Sequence, residues 1–247
     1  MSTSLRNPFD LGREWLERQE QAAVPAVCTL DVTLVTEDDE ALLTALRRRV
    51  GDLPGALTRA CGERFPACPG WDLRLRVIVC HDLYWDETGL ESTGLEPFLT
   101  PEAVPLHPAS RAGGKSLLEG LYCAICGPWR RHGEPRAHLV VCLAGAAPPL
   151  PLEEPTRRAD RQYAARLRPH RAPDAPPVPA TLQGLRRLWE HPGASRLDLF
   201  NSRLLLYAPA GMDPWEEIRG WNRVLSLRPD PGLTSLAADL AGAMPEL

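Results

Sequence analysis

Short apolar runs of strand length, spaced between helix-like stretches, constrain this chain more than any other feature. Residues 27–35 alternate, with Cys28, Leu30, Val32 and Leu34 on one side, which predicts a half-buried strand. Leu73, Leu75, Val77 and Val79 alternate with Arg74 and Arg76 in the same way, and the run ends at Cys80-His81. Residues 137–144 are apolar without alternation and predict a strand buried on both faces, and residues 197–207 predict another apolar strand. Between them lie helix signals. Thr36 is the expected cap of a helix over 37–50, with Asp38, Asp39 and Glu40 at its positive end and Arg47, Arg48 and Arg49 at its negative end. Pro54 opens a helix over 54–65, and further helices are expected over 10–21, 181–190 and from Thr234 onward. Asp213-Pro214-Trp215-Glu216 starts one more, with Trp215, Ile218 and Leu225 along one face. Residues 86–114 read as a long loop. Strands and helices interleave without a clean βαβ period, so the expected fold class is α+β, a mixed or antiparallel sheet with flanking helices.

Residues 146–180 carry nine prolines and six arginines in 35 positions. Proline blocks both helix and sheet, so this stretch is expected to be an extended basic linker. It divides the chain into an N-terminal α+β domain (1–145), the linker (146–180) and a C-terminal segment (181–247) that packs on the first domain. The 247 residues are enough for a real core. The net charge of −4 argues against a dedicated nucleic-acid binder, which is usually strongly basic. No run of 18 apolar residues exists, so no membrane span is expected. Charges at Arg6, Asp10, Arg13, Glu14 and Glu17 do not suit a secretory signal, and an intracellular protein, cytoplasmic or nuclear, is expected. In that setting the seven cysteines are expected to be reduced thiols.

Cys123, Cys126, His138 and Cys142 follow C-x2-C-x11-H-x3-C. Thiolates and imidazole are the ligands zinc prefers, so these four form a candidate structural zinc site. Ordinary buried cysteines are the alternative reading, and Cys80, His81 and His132 could replace a ligand. The spacing resembles the C2HC ubiquitin-binding zinc-finger family over about 21 residues, although Leu139-Val140-Val141 favours a strand where that family has a helix.

Ala109 to Ser116 nearly spells a phosphate-binding loop, and it holds the only lysine, Lys115, against 27 arginines. Ala109 replaces the first glycine, and Pro101, Pro105 and Pro108 oppose the strand that should feed such a loop. Asp82, Asp86, Glu87 and Glu91 form a carboxylate-rich stretch that reads as solvated surface. Ala56-Leu57 with Cys61 and Phe65 has the layout of an elongin-binding helix, making Leu57, Cys61 and Phe65 candidate partner-binding residues. Scarce lysine suits a GC-rich coding sequence or selection against ubiquitin acceptors. Together with the helix and the clustered cysteines it resembles viral adaptors that recruit cullin ubiquitin ligases.

These observations favour a non-enzymatic interaction or regulatory protein, stiffened by zinc, that binds a protein partner. Three alternatives stand beside it: a viral adaptor for an elongin-cullin ligase, a zinc-dependent nucleic-acid binder using Arg157, Arg158, Arg161, Arg166, Arg168 and Arg171, and an enzyme with a degenerate phosphate loop.

Overall fold

The computed structural model describes residues 27–83, 89–105, 114–130, 136–152, 161–191, 197, 200–230 and 232–245. The expected helix over 10–21, Asp86, Glu87, the loop from 106 to 113, His132, Arg157 and Arg158 lie outside the described residues.

A six-stranded mixed sheet with flanking helices organises the chain, and four of its strands fall on the predicted apolar runs. In chain order its strands are β1 (Cys28–Glu37), β2 (Trp71–Cys80), β3 (Leu90–Ser92), β4 (Arg136–Leu143), β5 (Ser202–Tyr207) and β6 (Val224–Leu227). Their order across the sheet is β3-β2-β1-β4-β5-β6. β2, β1, β4, β5 and β6 run parallel, and β3 closes one edge antiparallel to β2. The chain therefore winds outward from β1 in both directions, and the order reverses between β1 and β4.

Parallel neighbours need crossover connections, and these put helices on both faces. On one face lie α1 (Glu40–Val50), α2 (Leu53–Arg64) and α7 (Leu236–Ala243). They cover Leu30, Val32 and Leu34 of β1 and Leu75, Val77 and Val79 of β2. On the other face lie α3 (Leu117–Ile125), α4 (Arg161–Leu167), α5 (Leu182–Glu190) and α6 (Trp215–Arg219). These cover Val35, Ile78, Val140, Leu204 and Leu206. Alternation along each strand thus feeds two cores, one per face. At Gly120 of α3 an added Cβ would lie 2.2 Å from Cys80 Sγ, so only glycine lets the helix approach the sheet this closely.

Five expectations need correction. Leu90–Ser92, within the stretch expected to be a long loop, pairs antiparallel with Ile78–Cys80 as β3. Part of the proline-rich stretch is packed structure rather than an extended linker. Tyr163 and Leu167 of α4 are buried in the core, and the Ala172 N–H donates to the Cys126 carbonyl at 2.8 Å. The helix from Asp213 ends at Arg219, and Val224 and Leu225 belong to β6. Gly220 closes α6 and Arg223 takes a positive φ of 62°, which turns the chain into the edge strand. Thr36 lies inside β1, and Asp39 caps α1 instead, its Oδ1 accepting the Leu42 N–H at 2.8 Å. Cys28 and Cys68 form a disulfide that ties the start of β1 to the turn before β2, while Cys61, Cys80, Cys123, Cys126 and Cys142 are free and buried. No helix among the described residues is long and apolar enough to cross a membrane.

Candidate functional site at the carboxyl end of the sheet

In open, mostly parallel sheets, ligands bind outside the carboxyl ends of the strands where the strand order reverses. Here that place is the gap beyond Glu37 of β1 and Leu143 of β4. Strand register assembles a polar cluster beside it. Glu37 pairs with Cys80 across β1 and β2, so the next residues, Asp38 and His81, emerge side by side. His81 Nδ1 lies 2.8 Å from Asp38 Oδ2. Lys115, just before α3, reaches the same carboxylate, with Nζ 2.9 Å from Oδ1 and 3.1 Å from Oδ2. All three side chains are buried. Burial works to raise the Asp38 pKa, but hydrogen bonds from His81 and Lys115 outweigh it and hold the carboxylate below its ordinary range.

The backbone locks this arrangement. Asp38 N–H donates to the Cys80 carbonyl, His81 N–H to Gly89, and Ser116 N–H to the His81 carbonyl. Ser116 Oγ accepts the Leu83 N–H at 3.0 Å. Lys115 and Ser116, which the near-match to a phosphate loop singled out, are thus engaged with the chain's own groups. An ammonium beside the positive end of a helix is unfavourable by itself. Asp38 is the counter-charge that permits it. His81 Nε2 is buried and has no hydrogen-bond partner among the described residues.

Glu37 stands on the β4 side of the cluster. Its Oε1 would lie 1.5 Å from a Cβ at Gly145, so the close approach of the β4 exit requires glycine there. Burial, then the neighbouring Asp39 carboxylate, pushes the Glu37 pKa up to about 7; the Gly145 N–H partly offsets this.

Next to the cluster, past the ends of β4 and β5, a cavity of about 300 Å³ opens to the surface. Leu42, Leu143, Ala144, Tyr207, Pro209 and Leu233 give it an apolar lining, and Asp39 and Asp230 stand at it as well. From Asp39 a surface groove continues along α1, past Ala41, Thr44 and Ala45 to Arg48 and Arg49.

The expected zinc ligands and partner-binding residues lie elsewhere. Cys123 is on α3, Cys126 is the residue that caps its end, and His138 and Cys142 are on β4. Four residues of extended strand span about 13 Å, far more than the separation of two ligands on one tetrahedral ion, so β4 does not bring His138 and Cys142 together. His138 instead stacks on Trp129 at 5.0 Å between ring centroids. Among the described residues no group of three or more His, Cys, Asp or Glu side chains is placed to hold a metal ion. Leu57 and Cys61 of α2 are fully buried in the core against β2 and α7, and Phe65 packs on Trp71. The apolar period that would dock into a partner groove is here the core face of the helix. Arg166 donates to the Leu83 carbonyl and Arg171 to that of Ala175, so these two linker arginines brace the fold.

No family model and no curated protein matches this chain. Among solved structures it is similar to the pilus adhesin SpaC from Lactobacillus rhamnosus GG, at 14% identity and a TM-score of 0.43. The match covers 89% of this chain and 31% of the adhesin, so the chain spans about a third of that protein.

Proposed function

We propose that this chain is a non-enzymatic protein-binding module that presents the carboxyl end of its sheet to a partner. The observation that carries the reading is the contrast between two adjacent features. The buried charges at the strand-order reversal are neutralised by the chain's own lysine, whereas the apolar cavity beside them is open. A cavity of about 300 Å³ is at the lower limit of small-molecule sites, and suits one large apolar side chain better than a cofactor.

Catalysis has less support. Burial pushes the free thiols up, Cys61 to about 11 and Cys126 to about 12, with Cys80, Cys123 and Cys142 raised too. Such thiols supply no thiolate nucleophile near neutral pH. Asp38 and His81 form an oriented pair, but no hydroxyl or thiol of the described residues hydrogen-bonds His81 Nε2.

Photo-crosslinking tests the proposal. A photoreactive residue at exposed Ala146, on the cavity rim, should give a discrete adduct in extracts of the native host. The same residue at exposed Arg59 on α2 should not. Ala41→Trp, an exposed substitution at the cavity mouth, should remove the adduct. Equal labelling from both positions, or an adduct indifferent to Ala41→Trp, contradicts the proposal.

A further inference from the structure

The cavity and the groove along α1 share Asp39 and Ala41, so together they form one continuous surface. Its chemistry changes in a fixed order. First comes the apolar hole, then Asp39 and Glu40 at the start of α1, then the small side chains of Ala41, Thr44 and Ala45, and finally Arg48 and Arg49. Helical spacing explains the order. Glu40, Thr44 and Arg48 fall on one stripe of α1, and Ala41, Ala45 and Arg49 on the next. The small middle residues leave a floor between two charged ends. Asp39, Glu40, Ala41, Arg48 and Arg49 are all exposed.

Charge at each end is available in different degrees. Asp230 accepts hydrogen bonds from Gly232, Thr234 and Ser235 and is committed to its own turn. It still adds negative field at the cavity mouth. Asp39 also caps α1 through its Oδ1, and exposed Glu40 next to it is the second carboxylate lining the groove. Arg49 Nε donates to the Gly232 carbonyl, and exposed Arg48 stands beside it at the far end.

Resting on the reading of this edge as a binding face, we propose that the groove takes an extended segment of a protein partner with three ordered features. A large apolar side chain enters the cavity, a basic side chain follows beside Asp39 and Glu40, and an acidic side chain meets Arg48. The eight helical steps from Glu40 to Arg48 rise about 12 Å. An extended chain covers that in about four residues. The basic and acidic positions of the partner are therefore about four residues apart, with small or polar residues between them to clear the floor.

A random-peptide phage library selected on the immobilised full chain tests this, alongside two variants with exposed substitutions, Ala146→Arg and the charge-swapped Glu40→Arg/Arg48→Glu. Circular dichroism checks that both variants are folded. Selected peptides should share the apolar, basic, acidic order and bind Ala146→Arg at least about tenfold more weakly, as expected when an anchor side chain loses its pocket. Against the swapped protein each charge contact should weaken binding by about two- to fivefold. Selection on the swapped protein should return the opposite charge order. Peptides that need Ala146 but show no charge order, or that ignore the swap, overturn the proposed partner chemistry and leave the binding face intact. Failure to obtain any peptide sensitive to Ala146→Arg overturns both.

Discussion

Replacing Glu37 with glutamine should remove a pH dependence from the stability of the whole domain. The Glu37 carboxyl is raised from 4.5 to about 7, first by burial and then by the Asp39 carboxylate. A raised carboxyl binds its proton in the folded state at pH values where the unfolded chain has released it. Stability is therefore highest below the unfolded value and falls as pH rises towards the folded value. The difference of 2.5 pH units corresponds to about 3 kcal/mol, lost between about pH 4 and about pH 8. Glutamine has nearly the same shape, and its Oε1 can still accept the Gly145 N–H, but it does not titrate. Urea unfolding of both proteins across this range isolates the effect, because every other group titrates in both. The wild type should lose about 3 kcal/mol relative to Glu37→Gln on going from low to high pH, and for a chain of this size that is a melting-temperature gap of about 6–12 °C. A pH-independent difference between the two proteins would refute the argument that burial and Asp39 destabilise the ionised form.

Two further outcomes follow from the same geometry. Lys115→Met leaves Asp38 buried without its cation and should cost about 3–5 kcal/mol by chemical denaturation, most of it recovered in Lys115→Met/Asp38→Asn, since a removed pair is tolerated better than a broken one. Leu57→Ala should cost about 2–5 kcal/mol of stability, because Leu57 is a fully buried core residue; unchanged stability with loss of partner binding would restore α2 as a docking helix.

The strands were legible where β-branched or apolar residues repeat over many positions, as in Val32 to Val35, Val77 to Val79 and Leu139 to Val141. β6 was not, because it is only four residues long, and Trp215, Ile218 and Leu225 mimic a helical period. Gly220 and Asn222 were the local signals against a single long helix. Parallel pairing was hidden as well, since it depends on which strands become neighbours rather than on any one segment. The candidate site was missed for the same reason. Asp38, His81 and Lys115 each drew notice singly, as helix-end charge, spare metal ligand and phosphate-loop lysine. They meet only because β1 and β2 pair in a register that sets Glu37 opposite Cys80, and because α3 begins beneath them. The Cys/His spacing is compatible with a helix or a strand at 138–142, and spacing alone does not show that in the extended β4 four residues set His138 and Cys142 about 13 Å apart.

The most direct test of the central claim is methyl NMR of the full chain titrated with a small apolar probe such as benzene. An open apolar cavity at the carboxyl end predicts saturable shifts at Leu42, Leu143, Ala144 and Leu233, with the methyl groups of Leu53 and Leu57 on α2 unmoved. Shifts spread evenly over both cores, or none at the cavity, would contradict an open binding face at this edge.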